Sequence, residues 1–169
     1  MIFSLKDQLA CLRASKNPRH NERGFFIGPA LGAVAVVLLT FVVVWGIYRF
    51  INNQLSIYIE SNNLQAIVQG ADSLSQGGSY ANVSNTTLQT IQAFGNMTGA
   101  AVGGTVMNKW GGAVTVTGSA SNVLIEYDNV PAYACQGFLN RAADSNKFDS
   151  ASMPTCNSSG TSNLTFTHY

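Results

Sequence analysis

The chain has 169 residues, of which 10% are charged, and a formal net charge of +1, which allows one domain plus an anchor. The near-neutral total hides an asymmetry. Lys6, Arg13, Lys16, Arg19 and Arg23 outweigh Asp7 and Glu22 in residues 1–24, whereas acids outnumber bases beyond Phe50, so no basic stripe marks the larger part and nucleic-acid binding by it is not expected.

Between these two regions runs an uncharged segment, Gly24–Tyr48, in which Thr40 is the only hydroxyl before the final tyrosine. As a helix it extends roughly 37 Å at 1.5 Å per residue, and a bilayer core needs only about 20 apolar residues. Such a surface belongs in lipid, against copies of itself, or in each at different times. Positive charge before it and negative charge after it place the N-terminus in the cytoplasm and residues 51–169 on the far side of the membrane. No small-residue cleavage motif follows it; Arg49, Phe50 and INNQLSIYIESNN do, so the segment is expected to be retained rather than removed as a secretory signal. Gly28 and Gly32 have the small-xxx-small spacing that lets helices approach closely, although small residues are frequent in membrane helices generally. Pro29 fits a helix only near its start, so the helix is expected to begin near Gly28–Pro29.

Residues 52–76 read as an amphipathic continuation, with Leu64, Ile67, Val68, Ala71 and Leu74 at helical spacing and Gly77-Gly78 as the stop. A short helix is expected from Thr86 to Phe94, capped by Asn85, with Leu88, Ile91 and Phe94 on one face. A loose stretch, NMTGAAVGGTVMN, leads to Trp110-Gly111-Gly112, read as a core anchor at a tight turn rather than a binding residue. AVTVTGS and NVLIEYDNV alternate as strands, the second with Val123, Ile125 and Tyr127 on one face. Pro131 opens a helix, AYACQGFLNRAAD, whose apolar stripe is Cys135, Phe138, Leu139 and Ala142. Residues 143–160 read as polar loop, and SNLTFTHY as a final strand.

In an oxidising compartment Cys135 and Cys156 would pair, the alternative being two unpaired buried thiols; Cys11 belongs to the other side of the membrane. His20 and His168 also fall on opposite sides, so no metal site is expected. No nucleophile elbow, phosphate-binding loop or zinc-protease motif occurs. Glu126 and Asp128, two apart on a strand, share a face as paired carboxylates would, but a solvated strand edge is the simpler reading. No catalytic residue and no cofactor is assigned.

The sequence Arg23-Gly24-Phe25-Phe26, basic residues then glycine then an aromatic opening an apolar helix, resembles the processing site of a type IV prepilin. The resemblance implies cleavage between Gly24 and Phe25 by a prepilin peptidase, with N-methylation of Phe25. The long leader suits the type IVb branch. Pilins usually carry a glutamate at the fifth mature position; here that position is Pro29. The Leu88–Gly95 segment, the Trp110-Gly-Gly-Ala-Val-Thr-Val run, Val130-Pro131 followed by Cys135 and Leu139, Cys156 and the closing Leu-Thr-Phe-Thr together resemble the PilS-type pilins of conjugative plasmids and enteric bacteria. That resemblance implies a disulfide-bounded region, 135–156, on the filament surface.

The reading is therefore an α+β pilin fold, a long helix packed on a small antiparallel sheet. It comprises a basic leader (1–24), an assembly half of the helix (25–50), an amphipathic half (51–78) and a head (79–169). The expected role is a structural subunit of a pilus, waiting in the inner membrane and then exported, whose partners are copies of itself or other pilins. The rivals are an uncleaved bitopic membrane protein with an outer binding domain, and a minor, tip-located pilin.

Overall fold

The computed structural model of the protein describes residues 27–169. The leader and the expected cleavage and methylation positions, Gly24 and Phe25, lie outside the described residues. Contacts divide the chain between Ile47 and Tyr48, and the two parts are taken in turn.

The first helix, α1, spans Ile27–Leu74. Pro29 is its third residue, in the first turn, where a missing N–H has no intrahelical acceptor to lose. The helix thus starts slightly ahead of the expected Gly28–Pro29. From residue 32 to 47 every position is exposed. The hydroxyl of Thr40 folds back onto the carbonyls of Val37 at 2.8 Å and Val36 at 3.0 Å, so this polar group needs no partner from its surroundings.

The second part, Tyr48–Tyr169, is the head together with the remainder of α1. Here Ile57, Leu64, Ile67, Val68 and Ala71 enter the core and Leu74 is half-buried. The helix ends at Leu74, two residues before the expected limit; the chain then turns through Gly77 and Gly78 at φ 62° and 83°.

Helix α2 is shorter than expected, Asn85–Thr90, and its cap is Ser84 rather than Asn85. Ser84 and Thr87 form a reciprocal capping box. Asn85 serves the sheet instead: its Nδ2 donates to the Val114 carbonyl (2.9 Å) and its Oδ1 accepts from the Val116 N–H (2.6 Å). Because Gln92 takes φ 60°, the chain leaves the helical path; Leu88 and Phe94 stay buried while Ile91 is 42% exposed. The stretch to Asn108 is held by backbone turns, by a bridge between Thr98 and Met107 and by one buried side chain. The buried Gln89 amide donates to the Gly99 and Gly104 carbonyls and accepts from the Gly103 N–H.

The sheet is antiparallel in the order β1 (Val114–Gly118), β2 (Val123–Pro131), β3 (Thr161–His168). Val114, Val116, Val123, Ile125, Tyr127, Leu164 and Phe166 point inward, and the intervening residues are mostly exposed, the alternation of a sheet covered on one face. Tyr127 pairs with Leu164 but Val130 with Ser162, so β2 carries one extra residue. This bulge, with Asn129 at φ 56°, restores the inward phase so that Val130 is buried. Helix α3, Ala132–Asp144, has Pro131 as its N-cap and buries Cys135, Phe138, Leu139 and Ala142, the expected stripe. Tyr127, Phe138 and Phe166 meet edge to face with centroids 5.1–6.3 Å apart, a central cluster worth more than its buried area alone. The architecture is α+β, with the part of α1 after Ile47 packed on the three-stranded sheet through this core.

Candidate functional site

The apolar part of α1 combines strong hydrophobicity with full exposure. Val42 is 69% exposed, Leu39 67% and Phe41 64%, and the most apolar window of the helix has no buried residue. Leaving that surface in water is unfavourable by about 25 cal/mol for each Å². It is long and apolar enough to cross a membrane. Gly32, one of the expected packing positions, faces open space; Gly28 and Pro29 are helical in backbone. Phe41 and Trp45 meet edge to face at 6.3 Å.

In the head, the Trp110 turn is built on Asn108. The buried Asn108 side chain accepts from the N–H groups of Trp110 and Gly112, both at 2.9 Å, and donates to the Asp128 carbonyl at 2.7 Å. Gly111 has φ 80°, and a Cβ on Gly112 would stand 1.8 Å from the Asp128 oxygen, so glycine is required at both positions. Trp110 is half-buried and packs edge to face on Phe138 at 5.8 Å.

The turn is clipped to α1 by Glu60, a residue for which sequence reading proposed no role. Glu60 is 1% exposed; its Oε1 accepts the Lys109 N–H at 2.7 Å and its Oε2 the Asn63 amide at 3.3 Å. Burial raises its pKa above the ordinary value, against the lowering effects of those hydrogen bonds and of the Lys109 charge. Burial, and secondarily the Glu60 charge, also push the Tyr127 phenol well above its ordinary range. A signal for Glu60 was present: it falls between Ile57 and Leu64 on the same helical stripe as the core residues.

Two fasteners close the other end of the chain. Cys135, buried in α3, is bonded to Cys156 in the following loop, with Cα atoms 5.9 Å apart. His168, at the end of β3, lies 2.7 Å through Nε2 from Asp72 Oδ1 and 2.6 Å through Nδ1 from the Lys147 carbonyl. Tyr80 donates to the same Asp72 oxygen at 3.1 Å. The end of α1, the last strand and the loop after α3 are thereby joined. Glu126 is exposed and Asp128 half-buried on β2; no group of three or more potential metal ligands occurs among the described residues.

An apolar helix continued into an amphipathic stretch that shares its core with a small antiparallel sheet, with a disulfide over the last loop, defines a pilin-like protein. The PilS N terminal family model matches residues 55–167, about two thirds of the chain. The chain belongs to this family and is a PilS-type type IV pilin. No curated protein and no solved structure matches it. Membership marks a pilus-related protein that assembles with other pilins and points to a structural role; it is consistent with a membrane-anchored subunit.

Proposed function

We propose that the protein is a type IVb pilin whose apolar helix is stored in the inner membrane and then bundled with the helices of other subunits in an extracellular pilus. The observation that carries this reading is the contrast between a head with a closed core and an apolar helical segment whose every described side chain is exposed. Lipid and neighbouring helices both remove that surface from water, so exchange between them costs little hydrophobic free energy. In this reading a prepilin peptidase cleaves after Gly24 on the cytoplasmic side, Phe25 is methylated, and the head is carried outward, the 135–156 region lying on the filament surface. The pilus serves adhesion, conjugation or secretion. The head is not expected to bind nucleic acid, and the function needs no cofactor and no catalysis.

A second reading, a minor, tip-located subunit, is favoured by Pro29 in place of the usual glutamate. Single cysteines introduced at Val37 and Val42, in a Cys11→Ser background, test the proposal. Cross-linked dimers and higher species in sheared extracellular material are expected if the chain repeats along a filament. Extracellular chain at low copy number without cross-links would point to the tip. Confinement to the cell membrane would refute export and leave an uncleaved bitopic anchor.

A further inference from the structure

A shallow cleft of about 490 Å³ opens where four segments of the head meet: Lys109 and Trp110, Asn129 in the β2 bulge, Pro131 and Tyr133 at the start of α3, and Thr161 at the start of β3. Two aromatic side chains line it, and they are held differently. Trp110 is fixed from behind by the Asn108 turn, by the Glu60 clip on its neighbour and by Phe138. Tyr133 is 59% exposed and owes little to the core. Trp110 thus offers a ring already fixed in place, its Nε1 buried, and Tyr133 an accessible one, so few rotamers are lost by the fixed ring on contact. Asn129, Thr161 and Lys109, which carry an amide, a hydroxyl and an ammonium group, are also lining residues. Asn129 is kept in the left-handed region, φ 56°, its N–H held by the Asn163 side chain at 3.2 Å. The cleft therefore offers aromatic residues, neutral hydrogen-bonding groups and one positive charge; no acidic residue lines it, and the Lys109 charge also acts on the buried Glu60 carboxylate behind the turn.

We propose that this cleft binds a pyranose bearing a carboxylate, a uronic-acid unit of a polysaccharide. A pyranose presents C–H faces that pack on aromatic rings and a rim of hydroxyls suited to amide and hydroxyl partners. The single ammonium group selects an anionic sugar over a neutral one of the same shape. The volume lies within the range of small-ligand sites, and its openness suits one residue of a longer chain that continues out of the cleft. The site lies wholly within the head and does not depend on filament formation.

The test uses the full chain in zwitterionic micelles free of sugar headgroups, titrated with methyl β-D-glucuronide and, separately, methyl β-D-glucoside. Binding is followed by saturation-transfer NMR on the sugar protons, and by Trp110 fluorescence in a Trp45→Phe background. Both sugars are expected to bind at about millimolar concentrations, the glucuronide more tightly. Tyr133→Ala weakens both by about two- to tenfold, the worth of one aromatic contact. Lys109→Ala removes the advantage of the glucuronide and leaves the glucoside unchanged. Trp110→Ala abolishes binding, but because it also touches the core the exposed Tyr133 variant carries the conclusion. Absence of transfer to either sugar, binding indifferent to Tyr133→Ala, or equal affinity for the two sugars would each overturn the proposal. Cleft variants that change filament yield while sugar binding is absent would assign the cleft to subunit contact instead.

Discussion

Glu60 is the most demanding test of how the head is held, because Glu60→Gln and Glu60→Ala separate its hydrogen bonds from its charge. At pH values well below 4.5, the ordinary value for the group, the carboxyl is neutral in the folded and unfolded chains alike. There Glu60→Ala strands the Lys109 N–H, whose acceptor stood at 2.7 Å, and is expected to cost about 2 kcal/mol, roughly 6–10 °C in melting temperature for a domain of this size. Glu60→Gln retains an acceptor oxygen and is expected to cost less than about 1 kcal/mol. The pH dependence has a definite sign. Burial raises the folded pKa, so Glu60 contributes stability that is fully present below the unfolded value and is lost as pH rises through the folded value. The wild-type chain should therefore lose stability relative to Glu60→Gln as pH rises from well below 4.5 through the raised folded value. Urea unfolding of the full chain in micelles, followed by Trp110 fluorescence in a Trp45→Phe background, measures the difference directly and cancels the titration of the other carboxylates. A wild-type minus Gln difference that does not change with pH would refute the burial argument. A Gln variant as unstable as the Ala variant at low pH would refute the role given to the Lys109 N–H.

Replacing Cys135 and Cys156 together by serine is expected to cost the head about 3 kcal/mol, from the loop of 21 residues that the disulfide closes; reduction of the wild-type chain should give a similar loss of urea resistance, and an unchanged midpoint would contradict it. Asn85→Ala should cost about 2 kcal/mol because two hydrogen bonds to β1 are lost, whereas Ser84→Ala removes a helix cap and should cost about 1 kcal/mol. Chemical denaturation of the two variants tests whether Asn85 belongs to the sheet or to the helix end, and the reverse order would restore it to the cap.

The elements with a strong period were legible in the sequence. The stripe Cys135, Phe138, Leu139 and Ala142 identifies α3, and alternation identifies β1, β2 and β3, because burial on one face imposes those spacings directly. What escaped was decided by contacts distant in sequence. Asn85 looks like a helix cap, but its amide is used by Val114 and Val116, some thirty positions away. Ile91 looks like a core residue, but the left-handed turn at Gln92 takes the chain off the helical path. The loose stretch after Phe94 gave no pattern because turns, a bridge between Thr98 and Met107 and the buried Gln89 amide order it. Glu60 was readable in principle as a charge on an apolar stripe, whereas its partner is a backbone N–H, which sequence does not mark. The extent and apolarity of the candidate assembly surface were plain from composition, whereas its exposure, which separates it from a buried core helix, is a property of the fold.

The central claim, that the apolar helix is a processed assembly element and not a fixed anchor, is tested most directly by the intact mass of the chain recovered from sheared extracellular material. The account predicts a mature chain that begins at Phe25, carries one added methyl group and retains the Cys135–Cys156 disulfide. A chain in that extracellular material that still begins at Met1 would contradict it.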